Sequence, residues 1–272
     1  MRGAARNGRP YRDMGSCGRV GQKNRLGPIP LAIDYRIAWR IAWRIASSRL
    51  IYSGCPNRRR DEVIAIENQL DYLQVAVFEV DGLSHQPSTP QFDQWVEQQC
   101  QEAIREKATE TWEARREAVR ALLRKGGFKP SGRSKPAQEY LARCLDESKF
   151  PRVHPAVDCL NAISVRSGIP ISMLDRAAFS DRMLIRLGKP SESYVFNSVG
   201  QELDLENLIV VCGGSDEQKP LGTPVKDSMA GKIDKTVSRI VCILYAPRDS
   251  VDALWLDQWA VLLRTSIEQY AT

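Results

Sequence analysis

Histidine is scarce in this chain of 272 residues, with His85 and His154 making up the whole complement. A metal site built on several histidines is therefore excluded, and a serine triad has only these two to draw on. The seven cysteines are odd in number and scattered, with no CxxC pair, which fits neither a disulfide framework nor a zinc ribbon. No secretory signal is visible at the start, so a reducing, cytoplasmic location is expected. The longest apolar run, Ile240 to Ala246, has the length of a strand, well short of the roughly 18 residues a membrane-spanning helix needs. Common catalytic signatures are missing too: there is no GxxxxGK[ST], GxGxxG, GxSxG or HExxH. No cofactor and no metal are expected.

What is present divides by charge. The formal net charge is +6, but residues 1–60 hold 14 Lys and Arg against two acids, Asp13 and Asp34. The remainder keeps 25 of the 39 bases and 31 of the 33 acids, a balance of −6. The basic extension contains a tandem repeat, IAWRIAWRIA, with Ile37, Ile41 and Ile45 four apart and Arg40 and Arg44 beside them. Three readings fit it: a membrane-surface or targeting segment, an RNA-binding tail, or a stretch outside the natural folded product.

From residue 61 the pattern predicts an α+β fold, a single domain over residues 65–272 with mixed strands and flanking helices. Tyr72–Val80 reads as a strand, closed by Asp81-Gly82. Pro90 opens a helical region to Arg124, too long for one helix and so expected to break near Thr109–Thr111. Its expected core positions are Phe92, Trp95, Ala103, Ile104, Trp112, Ala118 and Leu122. A short helix follows over 136–147, then one from Pro155 that stops at Gly168. Strands are expected over 183–187, 193–198, 208–212 and 238–245, with a turn at Gly213-Gly214. The closing helix spans 251–270, with Ser250 as N-cap and Leu254, Trp255, Trp259, Leu262 and Leu263 as its buried face.

Three segments carry polar groups where chemistry or binding needs them. Arg115 to Lys135 holds eight bases (Arg115, Arg116, Arg120, Arg124, Lys125, Lys129, Arg133, Lys135) against Glu117 alone. It reads either as a solvated helix face or as an edge that contacts phosphates. In HPAVDCLNAIS, Asp158 and Asn161 lie three apart on one helical face, either satisfying backbone groups or lining a pocket. The loop PLGTPVKDS gathers Thr223, Lys226, Asp227 and Ser228, which form either a functional loop or an ordinary surface ion pair.

The succession GGFKPSGRSKPAQEYLAR, FPRVHPAVDCLNAISVRSGIPISMLD, LIRLGKPSESY and PLGTPVKDS, closed by a strand, resembles the free-standing B3/B4 domain proteins. These are relatives of the B3/B4 editing module of the phenylalanyl-tRNA synthetase beta chain. The resemblance covers about residues 70–270, and VDCLNAISVRSGIP is its core. It implies a compact B3/B4-like domain and a tRNA or aminoacyl-tRNA partner. It further implies a pocket that hydrolyses mischarged aminoacyl-tRNA, or an amino-acid or small-molecule module that keeps the fold without catalysis. Asn161 takes the place of the family's pocket asparagine. Ser172 stands where the synthetase module has a histidine, and Val241, Cys242 and Ile243 stand where it has a glutamate. The polar constellation of the synthetase is thus incomplete.

Ester hydrolysis needs a positioned water and a base. His154 and Asp158 are the candidates for the base. Asp158, Asn161, Ser172, Thr223, Lys226, Asp227 and Ser228 are the candidate substrate contacts, and the basic segment is the phosphate contact. No ATP site and no synthetase motif accompany them.

Overall fold

The strand Arg239–Pro247 is the centre around which the chain folds. Every residue after Arg239 in it is buried, as its run of Ile, Val, Cys, Leu and Tyr requires. The computed structural model describes residues 64–214 and 218–272, without the side chain of Arg133. The basic extension and its IAWR repeat lie outside the described residues.

In chain order the strands are β1 (Ala65–Asn68), β2 (Leu73–Asp81), β3 (Ile171–Asp175), β4 (Arg182–Leu187), β5 (Ser193–Val195), β6 (Glu202–Asp204), β7 (Ile209–Gly213), β8 (Lys219–Gly222) and β9 (Arg239–Pro247). Four helices stand between β2 and β3: α1 (Pro90–Lys107), α2 (Glu110–Lys125), α3 (Ala137–Asp146) and α4 (Pro155–Ser167). The helix α5 (Ala253–Tyr270) closes the chain. The class is α+β.

Two sheets and a helical layer are stacked. The first sheet has the order β2-β9-β3 and is antiparallel throughout. The second has the order β1-β4-β7-β8, with β1 parallel to β4. A small ribbon, β5-β6, stands apart. The period-2 alternation of strands divides the first sheet between two cores. Phe78 of β2, Met173 of β3 and Cys242 and Leu244 of β9 face a core shared with α1, α3, α4 and α5. Val75 and Val77, Leu174, and Val241, Ile243 and Tyr245 face a core shared with the second sheet. Helix α2 serves both: Trp112 and Val119 join the helical core, Leu122 and Leu123 the inter-sheet core.

The long helical region does break. Thr109 Oγ1 accepts the Trp112 N–H at 3.2 Å, capping α2, and donates to the Glu106 carbonyl at 2.6 Å, closing α1. Ile104, expected in the core, is 52% exposed. Gln99 takes a buried place on α1 instead, because its Oε1 accepts from Arg166 Nη1 at 2.9 Å. Ala118 is half-buried, and its neighbour Val119 fills the core position. The closing helix is capped by Asp252, which accepts the Trp255 N–H at 3.1 Å, and not by Ser250. Starting later, it leaves Leu254 in the first turn 52% exposed. Among the described residues, no helix is long and apolar enough to cross a membrane.

Candidate functional site

The candidate residues fall into three separate places. Asp158 and His154 sit at the start of α4. The Asp158 carboxylate is buried and accepts the Val153 N–H at 2.8 Å, the His154 N–H at 3.4 Å and Arg152 Nε at 2.8 Å. Arg152 reaches on to Asp93 at 2.5 Å and to the Ser88 hydroxyl at 3.1 Å. This network fastens the loop before α4 to α1. His154 is the N-cap, its Nδ1 accepting the Ala156 N–H at 3.2 Å. Burial, reinforced by the nearby charge of His85, pushes its pKa down, and its ring centroid is 5.0 Å from that of His85. Both candidates for a base are thus engaged in building the helix start. A cavity of about 320 Å³ opens nearby between α1 and Phe150, floored by Cys100, Ile104 and Leu145. None of the candidate site residues lines it.

Asn161 lies one turn along α4. All of α4 is buried except Val157 and Asn161, which share a face. Among the described residues nothing hydrogen-bonds the Asn161 amide, which meets solvent along the accessible stripe of the helix.

The second place is the edge of the first sheet. β3 pairs with β9 on one side only, and its other edge is covered by residues 223–228. This loop holds its shape through Thr223, whose Oγ1 accepts the Val225 and Lys226 N–H groups at 3.2 and 3.0 Å and donates to the Lys226 carbonyl at 2.7 Å. Tyr194 Oη donates to the same carbonyl at 2.5 Å. The turn delivers Asp227 to the strand edge. Asp227 Oδ1 accepts from Ser172 Oγ at 2.6 Å, and Oδ2 accepts the Met173 N–H at 3.3 Å. Ser172 accepts in turn from Tyr245 Oη at 2.9 Å. A relay therefore runs from Tyr245 through Ser172 to Asp227. Gly222 makes room for it, since a Cβ there would stand 2.9 Å from Asp227 Oδ1 and 3.3 Å from Ser172 Oγ.

Desolvation dominates at Asp227 and raises its pKa to about 7, against the lowering pull of the Ser172 and backbone hydrogen bonds. The residue itself keeps partial solvent exposure at its loop position. Burial likewise pushes the Tyr245 and Tyr194 phenols well up. Lys226 extends over the Phe196 ring at 3.7 Å, and Ser228 turns back to accept the Ala230 N–H at 3.1 Å. Ser172, Thr223, Lys226, Asp227 and Ser228 thus come together. Asp158 is not hydrogen-bonded to them and belongs to the helical layer.

The basic segment is the third place. Arg115 is buried, with its guanidinium 5.0 Å from the Trp255 ring centre. Arg116 pairs with Glu113 and Glu117 at 2.5 and 3.0 Å. Arg120 grips Glu139 with two hydrogen bonds of 2.6 Å. Lys125 pairs with Asp249 at 3.0 Å. Among the described residues, no ion pair holds Arg124, Lys129 or Lys135, and all three are exposed. The side chain of Arg133 lies outside the described residues.

Sequence reasoning missed two members of the neighbourhood. Tyr245 was hidden inside an apolar strand, where alternation marks its face but not its hydroxyl's partner. Gln138 is fully buried on α3, and among the described residues neither atom of its amide has a hydrogen-bond partner. A signal for it existed: Gln138, Leu141, Ala142 and Leu145 form one helical stripe with a polar first member. Among the described residues, no three His, Cys, Asp or Glu lie together as a metal site. No family model and no curated protein matches the chain.

Proposed function

We propose that the chain is a cytoplasmic tRNA-binding module that removes the amino acid from mischarged aminoacyl-tRNA. The carrying observation is the Asp227 carboxylate, held at the loop-covered edge of β3 by Ser172 Oγ and the Met173 N–H and raised by burial to about 7. A base with that affinity for protons is matched to neutral pH, where an ordinary surface carboxylate is too weak. The resemblance to the B3/B4 module supports the choice of substrate.

In this reading the aminoacyl ester lies against the 223–228 loop, and a water stands beside Asp227. Asp227 takes one proton from the water as the water's oxygen bonds to the ester carbonyl carbon. The bond from that carbon to the ribose oxygen then breaks, Asp227 passes its proton to the ribose oxygen, and the amino acid leaves with a free carboxyl group. Ser172 and Tyr245 orient the carboxylate, and Asn161 presents its amide to the RNA or the amino acid. His154 and Asp158 build α4 and take no proton.

One observation favours a second reading, an amino-acid or small-molecule binding module. Arg116 and Arg120 are engaged by acids, which leaves a thin cationic surface for phosphates. The test offers the full chain a panel of mischarged aminoacyl-tRNAs alongside the free amino acids. Release of amino acid, lost in Asp227→Asn and slowed in Asn161→Ala, is the expected result. Binding of a free amino acid with no release from any tRNA decides for the second reading.

A further inference from the structure

We infer that Gln138 reads the α-amino and carbonyl groups of the bound amino acid. Its side chain is fully buried, yet among the described residues neither Oε1 nor Nε2 has a partner. Buried amides are nearly always paired, because stripping water from them without replacement is unfavourable. An apolar residue in the same place would continue the stripe of Leu141, Ala142 and Leu145. The amide therefore weakens the empty protein, and such groups are characteristic of sites completed by a ligand.

Its position points to the cluster already described. The N–H of Ala137, the preceding residue, donates to the Pro224 carbonyl at 3.0 Å, fastening the start of α3 to the loop that carries Thr223 and Asp227. Helix α3 also packs along α4, where Val157 and Asn161 form the accessible stripe. Gln138 thus stands in the first turn of α3, one residue from the bond to that loop, on a helix packed along α4. A neutral amide offers one acceptor and two donors on a short planar group. The matching ligand presents a donor and an acceptor close together, as the α-ammonium and carbonyl of an amino acid or aminoacyl ester do. A buried site built to pair such groups discriminates strongly against an analogue lacking one of them.

The inference rests on the proposed function for its ligand, and the experiment separates the two. The full chain, Gln138→Met and Gln138→Leu are titrated with free amino acids and with 3′-aminoacylamino-3′-deoxyadenosines, which cannot be hydrolysed. Each probe is paired with its counterpart lacking the α-amino group. The wild type is expected to prefer the amino form at least 10-fold. Both variants should unfold at the same temperature as the wild type or higher, and should lose that preference. Variants that keep it overturn the inference while leaving the proposed function standing. A preference seen only among free amino acids, and dependent on Gln138, sustains the inference and overturns the tRNA reading. A wild type that binds none of the probes overturns both.

Discussion

At the scale of single residues, the account turns on Asp227. Its folded pKa of about 7 lies above the ordinary carboxylate value near 4. Between those two pH values the unfolded chain has lost its proton while the folded chain keeps it. Stability therefore falls as pH rises from about 4 to 7 and levels off above, by something of order 4 kcal/mol from this group. Asp227→Asn removes that slope and is the more stable form at pH 8, which urea unfolding at pH 5 and pH 8 reads directly. An Asp227→Asn chain that keeps the wild-type slope contradicts the burial of this carboxylate. Tyr245→Phe is expected to cost only about 1 kcal/mol, because Ser172 Oγ retains Asp227 as its partner. Much of this cluster was legible in the sequence: Thr223, Lys226, Asp227 and Ser228 stood out as a polar loop. The partners across the sheet were not legible. Hydrogen bonds such as Tyr245 to Ser172 join residues 73 positions apart, and no local pattern encodes that distance.

At the scale of elements, local signals were strong where chemistry is local. Thr109 capped a helix, Pro155 opened one and Gly168, with φ of 74°, closed it. The β1, β3, β6 and β8 strands were missed, since three to five residues with partners far away carry little periodicity. The joint between β4 and β5 depends on a close approach: a Cβ on Gly188 would lie 1.8 Å from the Leu205 carbonyl oxygen. Gly188→Ala is thus expected to destabilise by about 3 kcal/mol or more, measured by chemical unfolding. A change within 0.5 kcal/mol or so would show that the joint yields. Helices α2 and α3 are joined by Arg120 and the largely buried Glu139 carboxylate. Arg120→Met leaves that carboxylate without its bidentate partner and should cost about 1.5–3 kcal/mol.

At the scale of the whole molecule, charge read along the chain differs from charge read in space. The run from Arg115 to Lys135 carries a balance of +7 in sequence. Folding brings Glu113, Glu139 and Asp249 against it, so that among the described residues Arg124, Lys129 and Lys135 are the exposed cations of the run without ion pairs. If RNA is bound on this surface, reversing those three to Glu should lower the slope of log affinity against log salt by about 2–3. An unchanged slope in the full chain would remove this surface from RNA contact. The central claim, a water activated by Asp227, is tested most directly by the pH dependence of single-turnover release of labelled amino acid from mischarged tRNA. The predicted result is a rate that rises through pH 7 to a plateau and is abolished in Asp227→Asn. A rate independent of pH across that range, or one that survives the substitution, would contradict it.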